Sequence, residues 1–490
     1  MNRVLPTIPF DSLEAYVADG GGVGLPAARA VSADIVIDEL VASGLRGRGG
    51  AGFPTGVKWR TVKGYTSALL HTSVVINAAE GEPGTFKDHA ILRTNPYAVI
   101  EGALIAAHAL DARSVVIATK ATFITELARL RAAIAEVGAA GWYDGIKIEI
   151  VEGPSEYLFG EETALLEVID GRPPFPRIAP PYRRGVVEVV RSQADAASGS
   201  GLPASVQMAE TNFDSPAPPV LANNVETIAN VPSIIARGAA WFRSVGTADS
   251  PGTIVCTVTG AVRQPGVMEV AMGTTLAELI ELAGHGMEPG RTLKAVMIGV
   301  SNAIVTPDQL DTELTYEGMA AIGSGLGSAG FIVIGDDVEA VSLAAGVARF
   351  LGVESCGQCT NCKEDGLEIA ATLATITAGN GNPHHLDVVN ALLATVTEGA
   401  RCSLAAQQRA VVGSLLTTFA DEVAVRLRPN AEPLDVQLVA ALVDIGDQGA
   451  TADLAFARKQ PDWTYDETDS GKTPVERFTD RRAAEPVANR

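Results

Sequence analysis

Residues 44–59 read GLRGRGGAGFPTGVKW. Glycine stands at positions 44, 47, 49, 50, 52 and 56, with Arg46, Arg48 and Lys58 set among them. Glycine lets backbone approach a ligand closely and adopt positive φ without steric cost. Successive free N–H groups in such a loop form an anion-binding concavity. An ordinary flexible loop would need neither two arginines nor Phe53, Pro54 and Lys58 within its run. The stretch therefore reads as a cradle for a planar ring with a phosphate tail. No apolar strand runs directly into it, so it is not the GxGxxG turn of a Rossmann first crossover.

Upstream of the loop, Ser32 is an N-cap, residues 33–43 form a helix with Ile35 and Leu40 on its apolar face, and Gly44 stops it. Downstream, SVVIN (73–77) is a short apolar strand. It runs into a second special loop, AAEGEPGTFKD (78–88), in which Glu80 and Glu82 alternate with Gly81 and Gly84. Helices are expected over 90–109, 122–137 and 160–169, and strands over 114–119 and 146–151. Strands alternating with helices predict an open α/β sheet. Ligands of such sheets sit at the C-terminal ends of the strands, so both loops should face one crevice.

Residues 171–182 (GRPPFPRIAPPY) are extended, and 191–219 read as a long loop or insertion. NNVET then leads into the helical TIANVPSII. Over 253–335 the pattern changes: TIVCTVTG, GVMEVAMG and AGFIVIG are strands and 274–283 a helix, giving a small α+β module of ubiquitin-like type. From 338 onward alanine- and leucine-rich helices form a small bundle to about residue 428. A mixed polar tail follows, with Trp463, Tyr465 and Phe478 as its anchors.

The 490 residues suggest about three domains. Hydrophobic content of 47 % with 19 % charged residues describes a soluble globular protein. No signal peptide follows Met1 and no apolar stretch is long enough to span a bilayer, so a cytoplasmic protein without direct membrane insertion is the default. A net charge of −21 argues against nucleic acid as a partner. Any anionic ligand must be held by local Arg, Lys and backbone groups.

Of the five cysteines, Cys356, Cys359 and Cys362 form CxxCxxC, and Cys402 follows at the distance of a helical hairpin. Three thiolates at this spacing wrap three corners of a [4Fe–4S] cube, and a distant fourth closes it. Zinc is the alternative, although it usually takes two CxxC pairs or Cys–His sets. Cys256, alone in a strand, reads as a small buried apolar residue.

Several motifs now stand in a fixed order: the glycine loop, NAAEGEPGTFKD (77–88), GEETALL (160–166), PPYRRG (180–185), NNVETIANVP (223–232) and ESCGQCTNC (354–362). Over residues 33–425 this order resembles the NADH-binding flavoprotein subunit of respiratory complex I, whose relatives occur in NAD-linked hydrogenases and formate dehydrogenases. The resemblance implies a Rossmann-like α/β domain binding FMN and NADH (1–240), a ubiquitin-like, SLBB-type module (250–335), a helical iron–sulfur domain (336–428) and a C-terminal extension (429–490). It implies FMN contacts at Gly47, Arg48, Gly49, Gly50, Lys58, Asn77, Glu80, Gly160, Asn223, Asn224 and Thr227. It implies Phe53 and Tyr182 as aromatic walls for NAD(H), Glu82 as a ribose acceptor, and Glu161 and Glu162 on the nicotinamide side. Glu80 and Glu162 would stand beside the reacting atoms. Residues alone give Glu161 and Glu162 another use, compensating a helix dipole.

The chain departs from the family pattern at four places. Ala79 replaces an aspartate, Asn361 a proline, Arg60 and Thr61 stand where an aromatic is common, and MIGVSNAIV (297–305) replaces a glycine-rich turn. The implied function is hydride exchange between NAD(H) and FMN followed by single-electron transfer through a [4Fe–4S] cluster. Lacking a second cysteine set, the chain would pass electrons to partner subunits, including a [2Fe–2S] thioredoxin-like subunit and a further iron–sulfur subunit. The alternatives are an iron–sulfur relay that has lost flavin or NADH binding, which Ala79 motivates, and a structural adaptor.

Overall fold

The computed structural model describes residues 2–66, 72–177, 219–446 and 448–461. Tyr182, the PPYRRG motif and the tail anchors Trp463, Tyr465 and Phe478 lie outside the described residues.

Helix Ala33–Ser43 starts where Ser32 accepts from the Ile35 N–H and stops at Gly44, which takes φ 71°. It delivers the chain to the glycine loop. The first sheet is built from β1 (Ser73–Ala78), β2 (Ser114–Lys120), β3 (Lys147–Gly153) and β4 (Val220–Asn224), in the order β3-β2-β1-β4. All its pairings are parallel, so Asn77, Lys120, Gly153 and Asn224 share one edge. Helices Pro96–Ala109 and Val225–Arg237 supply much of the core beneath it.

The helix expected over 90–109 is two helices, Lys87–Thr94 and Pro96–Ala109. Pro96 has no N–H to continue the ladder and pushes its predecessor out of the helical region. Asn95 accordingly sits at φ −144° and caps the second helix by accepting from the Ala98 N–H. The helix expected from 160 begins at Glu162, after a 3₁₀ turn at Tyr157–Gly160. Strand β4 was not anticipated, because five residues ending in two asparagines carry little strand signal.

The second sheet contains β5 (Thr253–Gly260), β6 (Gly266–Ala271), β7 (Leu293–Ile298) and β8 (Gly330–Gly335) in the order β6-β5-β8-β7. Its central pair β5–β8 is parallel and its outer pairs are antiparallel. Helix Leu276–Gly284 closes its core, in which Cys256 is fully buried. Helices Ala340–Glu354, Thr360–Thr375, Pro383–Thr395 and Leu404–Thr418 share a third core.

The described part of the tail, up to residue 461, holds more regular structure than its composition suggests. Strands β9 (Leu442–Gly446) and β10 (Gly449–Ala452) form a hairpin, and Phe456 is buried with its ring 5.0 Å from Phe350. Asp444 pairs with Arg93 at 2.6 Å and Lys459 with Glu354 at 2.5 Å, which folds the extension back onto helix Lys87–Thr94 and the segment before the cysteines. Among the described residues, no helix is long and apolar enough to cross a membrane.

Candidate active site and cluster site

The glycine loop is closed at its neck. Arg46 and Pro54 bridge, the Gly47 N–H donates to Phe53 O at 2.8 Å, and the Thr55 N–H to Leu45 O at 2.9 Å. Its two arginines face the second sheet. The Arg46 guanidinium lies over the Tyr316 ring at 3.8 Å and pairs with Glu317. Arg48 is buried: its guanidinium donates to Thr253 O at 2.9 Å and to the Tyr316 hydroxyl at 3.2 Å, and its N–H to Thr227 Oγ1 at 2.8 Å. Arg48 and Thr227, both expected to touch FMN, are bonded to each other and brace the loop. Gly47, Gly50 and Phe53 stay half-buried and Gly49 exposed, leaving the loop's rim open.

Helix Thr55–Gly64 begins on Pro54 without a side-chain cap, and the buried Thr55 hydroxyl has no hydrogen-bond partner. First-turn N–H groups without a cap and an orphaned hydroxyl suit a phosphate. Lys58, on the same turn, gives its ammonium to Glu162 at 2.9 Å. Burial raises the Glu162 carboxyl and Lys58 opposes the rise.

At the β1 edge, Asn77 donates from Nδ2 to Gly160 O at 2.7 Å and accepts from the Ala79 N–H at 3.2 Å. A Cβ on Gly160 would lie 2.9 Å from Ala79 O, so these two segments must touch. Ala79 itself packs in an apolar cluster with Phe159 and Leu165. Glu80 accepts from the Asp88 and His89 N–H groups at the start of helix Lys87–Thr94. Burial and the nearby Asp88 push its carboxyl up to about 8. At the β4 edge, Asn223 Oδ1 accepts from Trp59 Nε1 at 2.9 Å, and Asn224 caps helix Val225–Arg237. Gly49 packs on Asn224, a Cβ there lying 3.2 Å from the Asn224 Cβ. The two special loops therefore meet at one edge of the parallel sheet.

A buried charge network sits under this edge. Lys87 reaches Asp88 at 2.7 Å and Glu226 at 3.1 Å, and Glu226 accepts from the Val255 N–H at 2.8 Å. Burial alone would lower the Lys87 ammonium, but Asp88, Glu226 and Glu80 raise it above its ordinary value. The network ties the parallel-sheet domain to β5.

Glu161 and Glu82 both have partners within the protein. Glu161 is the N-cap of helix Glu162–Ile169, accepting from the Thr163 and Ala164 N–H groups. Glu82 accepts from the Val300 N–H at 2.7 Å and from the Tyr157 hydroxyl. Tyr157 also accepts from Gln407 Nε2 at 3.1 Å. The expected ribose contact of Glu82 would compete with this chain of bonds, which links the second loop to helix Leu404–Thr418. Tyr157, Trp59 and Thr55 were missed in the sequence. The position of Tyr157, three residues before GEET, was its only signal.

Cys356, Cys359, Cys362 and Cys402 line a single cavity with Leu158, Pro176 and Leu404. Gly357 takes φ 74° in the wrap, and Cys359 precedes helix Thr360–Thr375. Asn361 donates to Thr395 O, away from the thiols' role as ligands. Burial raises the Cys356 and Cys402 thiols and pushes Cys362 up to about 11. Thiols this reluctant to ionise alone become thiolates when a metal centre supplies the countercharge. Four cysteines lining one largely apolar cavity, three of them at CxxCxxC spacing, suit an iron–sulfur cube better than two separate pairs.

The profile of the Nuo51 FMN-binding domain matches residues 40–233, that of the SLBB domain 255–301, and that of the NADH-ubiquinone oxidoreductase-F iron–sulfur binding region 342–426. The F 2 subunit of the NADH-quinone oxidoreductase of Rhizobium meliloti is 37 % identical over 403 residues, covering 80 % of this chain and 89 % of that protein. The F subunit of the NADH-quinone oxidoreductase of Rhodobacter capsulatus is 34 % identical over 429 residues, covering 85 % and 93 %. The crystal structure of an NAD+-reducing [NiFe]-hydrogenase in the H2-reduced state superposes with a TM-score of 0.71 at 29 % identity, over 86 % of this chain and 68 % of that one.

Proposed function

The chain belongs to the family of NADH-quinone oxidoreductase F subunits, and from that premise we propose how its residues serve the family's chemistry. It is an NADH dehydrogenase-type flavo-iron–sulfur subunit that exchanges hydride between NAD(H) and FMN and passes single electrons through a [4Fe–4S] cluster. When bound, FMN supplies the change from two-electron to one-electron chemistry and the cluster carries the electrons onward.

Gly47, Gly49 and Gly50 would hold the flavin, and the start of helix Thr55–Gly64 with the unpartnered Thr55 hydroxyl would take a phosphate. Asn77, Gly160 and Asn223 would help hold the flavin, since amide groups both donate and accept. Phe53, half-buried at the loop's rim, would flank the dinucleotide. The Lys58–Glu162 pair orients the nicotinamide side, and Glu80 holds its proton near neutral pH beside it. Cys356, Cys359, Cys362 and Cys402 bind the cluster. What supports the reading most is the Glu82–Tyr157–Gln407 chain, which joins the flavin loop to the helix that follows Cys402.

The relatives are components of larger oxidoreductases, and this chain works in such an assembly. Its electrons leave to a [2Fe–2S] thioredoxin-like subunit and a further iron–sulfur subunit, in the cytoplasm, with any membrane reached through partners. The test is NADH-dependent ferricyanide reduction by the purified chain loaded with FMN and iron–sulfide. Turnover is expected. FMN bound without turnover would contradict the reading and leave an electron relay.

A further inference from the structure

Around the two special loops, the cations singled out by the sequence already have partners inside the protein. Arg46 pairs with Glu317, Arg48 donates to Thr253 O, Lys58 pairs with Glu162, and Lys87 with Asp88 and Glu226. Lys120 differs. It ends β2, one residue beyond Thr119, which is level with Ala78 of β1. It is 4 % exposed. Among the described residues its ammonium makes neither a hydrogen bond nor an ion pair, and the Phe123 ring is 5.8 Å away, at the outer limit of a cation–π contact.

The second loop makes room for it. A Cβ on Gly81 would lie 2.3 Å from Lys120 Nζ and 3.8 Å from the Tyr157 ring. Glu80, Glu156, Glu354 and Lys459 surround the ammonium at longer range. The carboxylates are engaged elsewhere: Glu80 at the start of helix Lys87–Thr94, Glu354 by the Tyr157 N–H at 2.9 Å and by Lys459, and Glu156 by contacts of its own. Burial pushes Lys120 down to about 8, as a desolvated cation without a close counter-ion should behave. A buried ammonium at the C-terminal edge of a parallel sheet lies where nucleotides bind in such folds.

We propose that Lys120 is a phosphate-binding cation of the nucleotide site, taking a phosphoryl oxygen beside Gly81. The inference rests on the flavin and NAD(H) reading above. Two sources share this chemistry, the pyrophosphate of NAD(H) and the phosphate of FMN. Lys58, the cation the sequence offered for that task, is tied to Glu162, which leaves the role to Lys120.

The experiment uses the full chain loaded with FMN and cluster, as wild type, Lys120→Met and Lys120→Arg. Three quantities are measured: FMN affinity by fluorescence quenching, the NADH concentration that half-bleaches the flavin anaerobically, and the same for dihydronicotinamide riboside, which carries no phosphate. Lys120→Met is expected to raise the NADH requirement about tenfold or more, the scale of one charge-assisted phosphate contact, with the riboside unchanged and Lys120→Arg restoring NADH. A comparable loss of FMN affinity instead also supports a phosphate contact and assigns it to FMN. Changes of less than about twofold in both, or equal loss with all three ligands that Lys120→Arg does not rescue, overturn it. Wild-type flavin that NADH does not bleach would defeat the enzyme reading, while the FMN arm still decides Lys120.

Discussion

The glycine loop and the cysteine loop are both ligand cradles, yet they use their functional residues in opposite ways. Around the cysteine loop the four cysteines line one cavity, and the polar residues nearby hold backbone. Lys363, for example, donates to the carbonyls of Gly352 at 3.0 Å and Ser355 at 2.9 Å. In the glycine loop the charged side chains hold scaffold, and the backbone with small groups is left to face the ligand. A thiol cluster has little structural use other than ligation, so its residues reveal their role by type and spacing. An arginine or glutamate can build or bind, and only its neighbours decide.

The sharpest break of this comparison is Cys402→Ser. It should abolish cluster iron while FMN stays bound, because the two cradles lie in separate cores. Iron assay and flavin fluorescence check it, and joint loss of both would show that the cradles are not independent. Arg48→Ala comes next. It removes the bonds to Thr253 and Tyr316 and leaves buried Glu226 with less countercharge, at a cost of about 3–5 kcal/mol in denaturant unfolding. If Arg48 bound FMN directly, affinity would fall without that loss of stability.

Tyr157→Phe should be milder. It strips Glu82 and Gln407 of a shared partner, costing about 1–3 kcal/mol. Freeze-quench spectroscopy should then show slower passage from flavin to cluster at unchanged flavin bleaching. An unchanged transfer rate would confine Tyr157 to structure.

The smallest effect is a pH dependence. Glu80 has a folded-state value of about 8 against an ordinary 4.5. A raised carboxyl favours the folded state fully below about 4.5, and that contribution is lost as pH rises through about 8. Glu80→Gln should therefore match wild type near pH 4 and exceed it above pH 8, by about a few degrees in Tm. Parallel melting curves at all pH values would contradict the shift.

Much of this fold was legible where the determinants are local. Ser32 and Gly44 bound their helix as a cap and a stop must, and SVVIN gave β1. The α/β sheet, the α+β module and the helical iron–sulfur region follow from periodicity and from the order of motifs. The break at Pro96 was also local and was overlooked. What could not be read locally were partners distant in sequence: Arg48 with Thr253, Glu82 with Val300, Tyr157 with Gln407, Asp444 with Arg93. The same holds for the tail. Its hairpin and Phe456 are ordered by surfaces far away in sequence, which a polar composition does not disclose.

Ala79 is a site where a departure in sequence has a structural counterpart. The family's aspartate position is here an alanine packed against Phe159 and Leu165, with its N–H held by Asn77. The edge keeps its backbone geometry without that carboxylate.

The central claim is that one chain receives hydride at the glycine-loop edge and hands single electrons to the cysteine cluster. It is tested most directly by an anaerobic stopped-flow spectrum of the FMN- and cluster-loaded chain mixed with NADH, followed by electron paramagnetic resonance of the same sample. The account predicts rapid flavin bleaching and then a reduced-cluster signal that Cys402→Ser abolishes. Flavin unmoved by NADH while dithionite still reduces the cluster would contradict it.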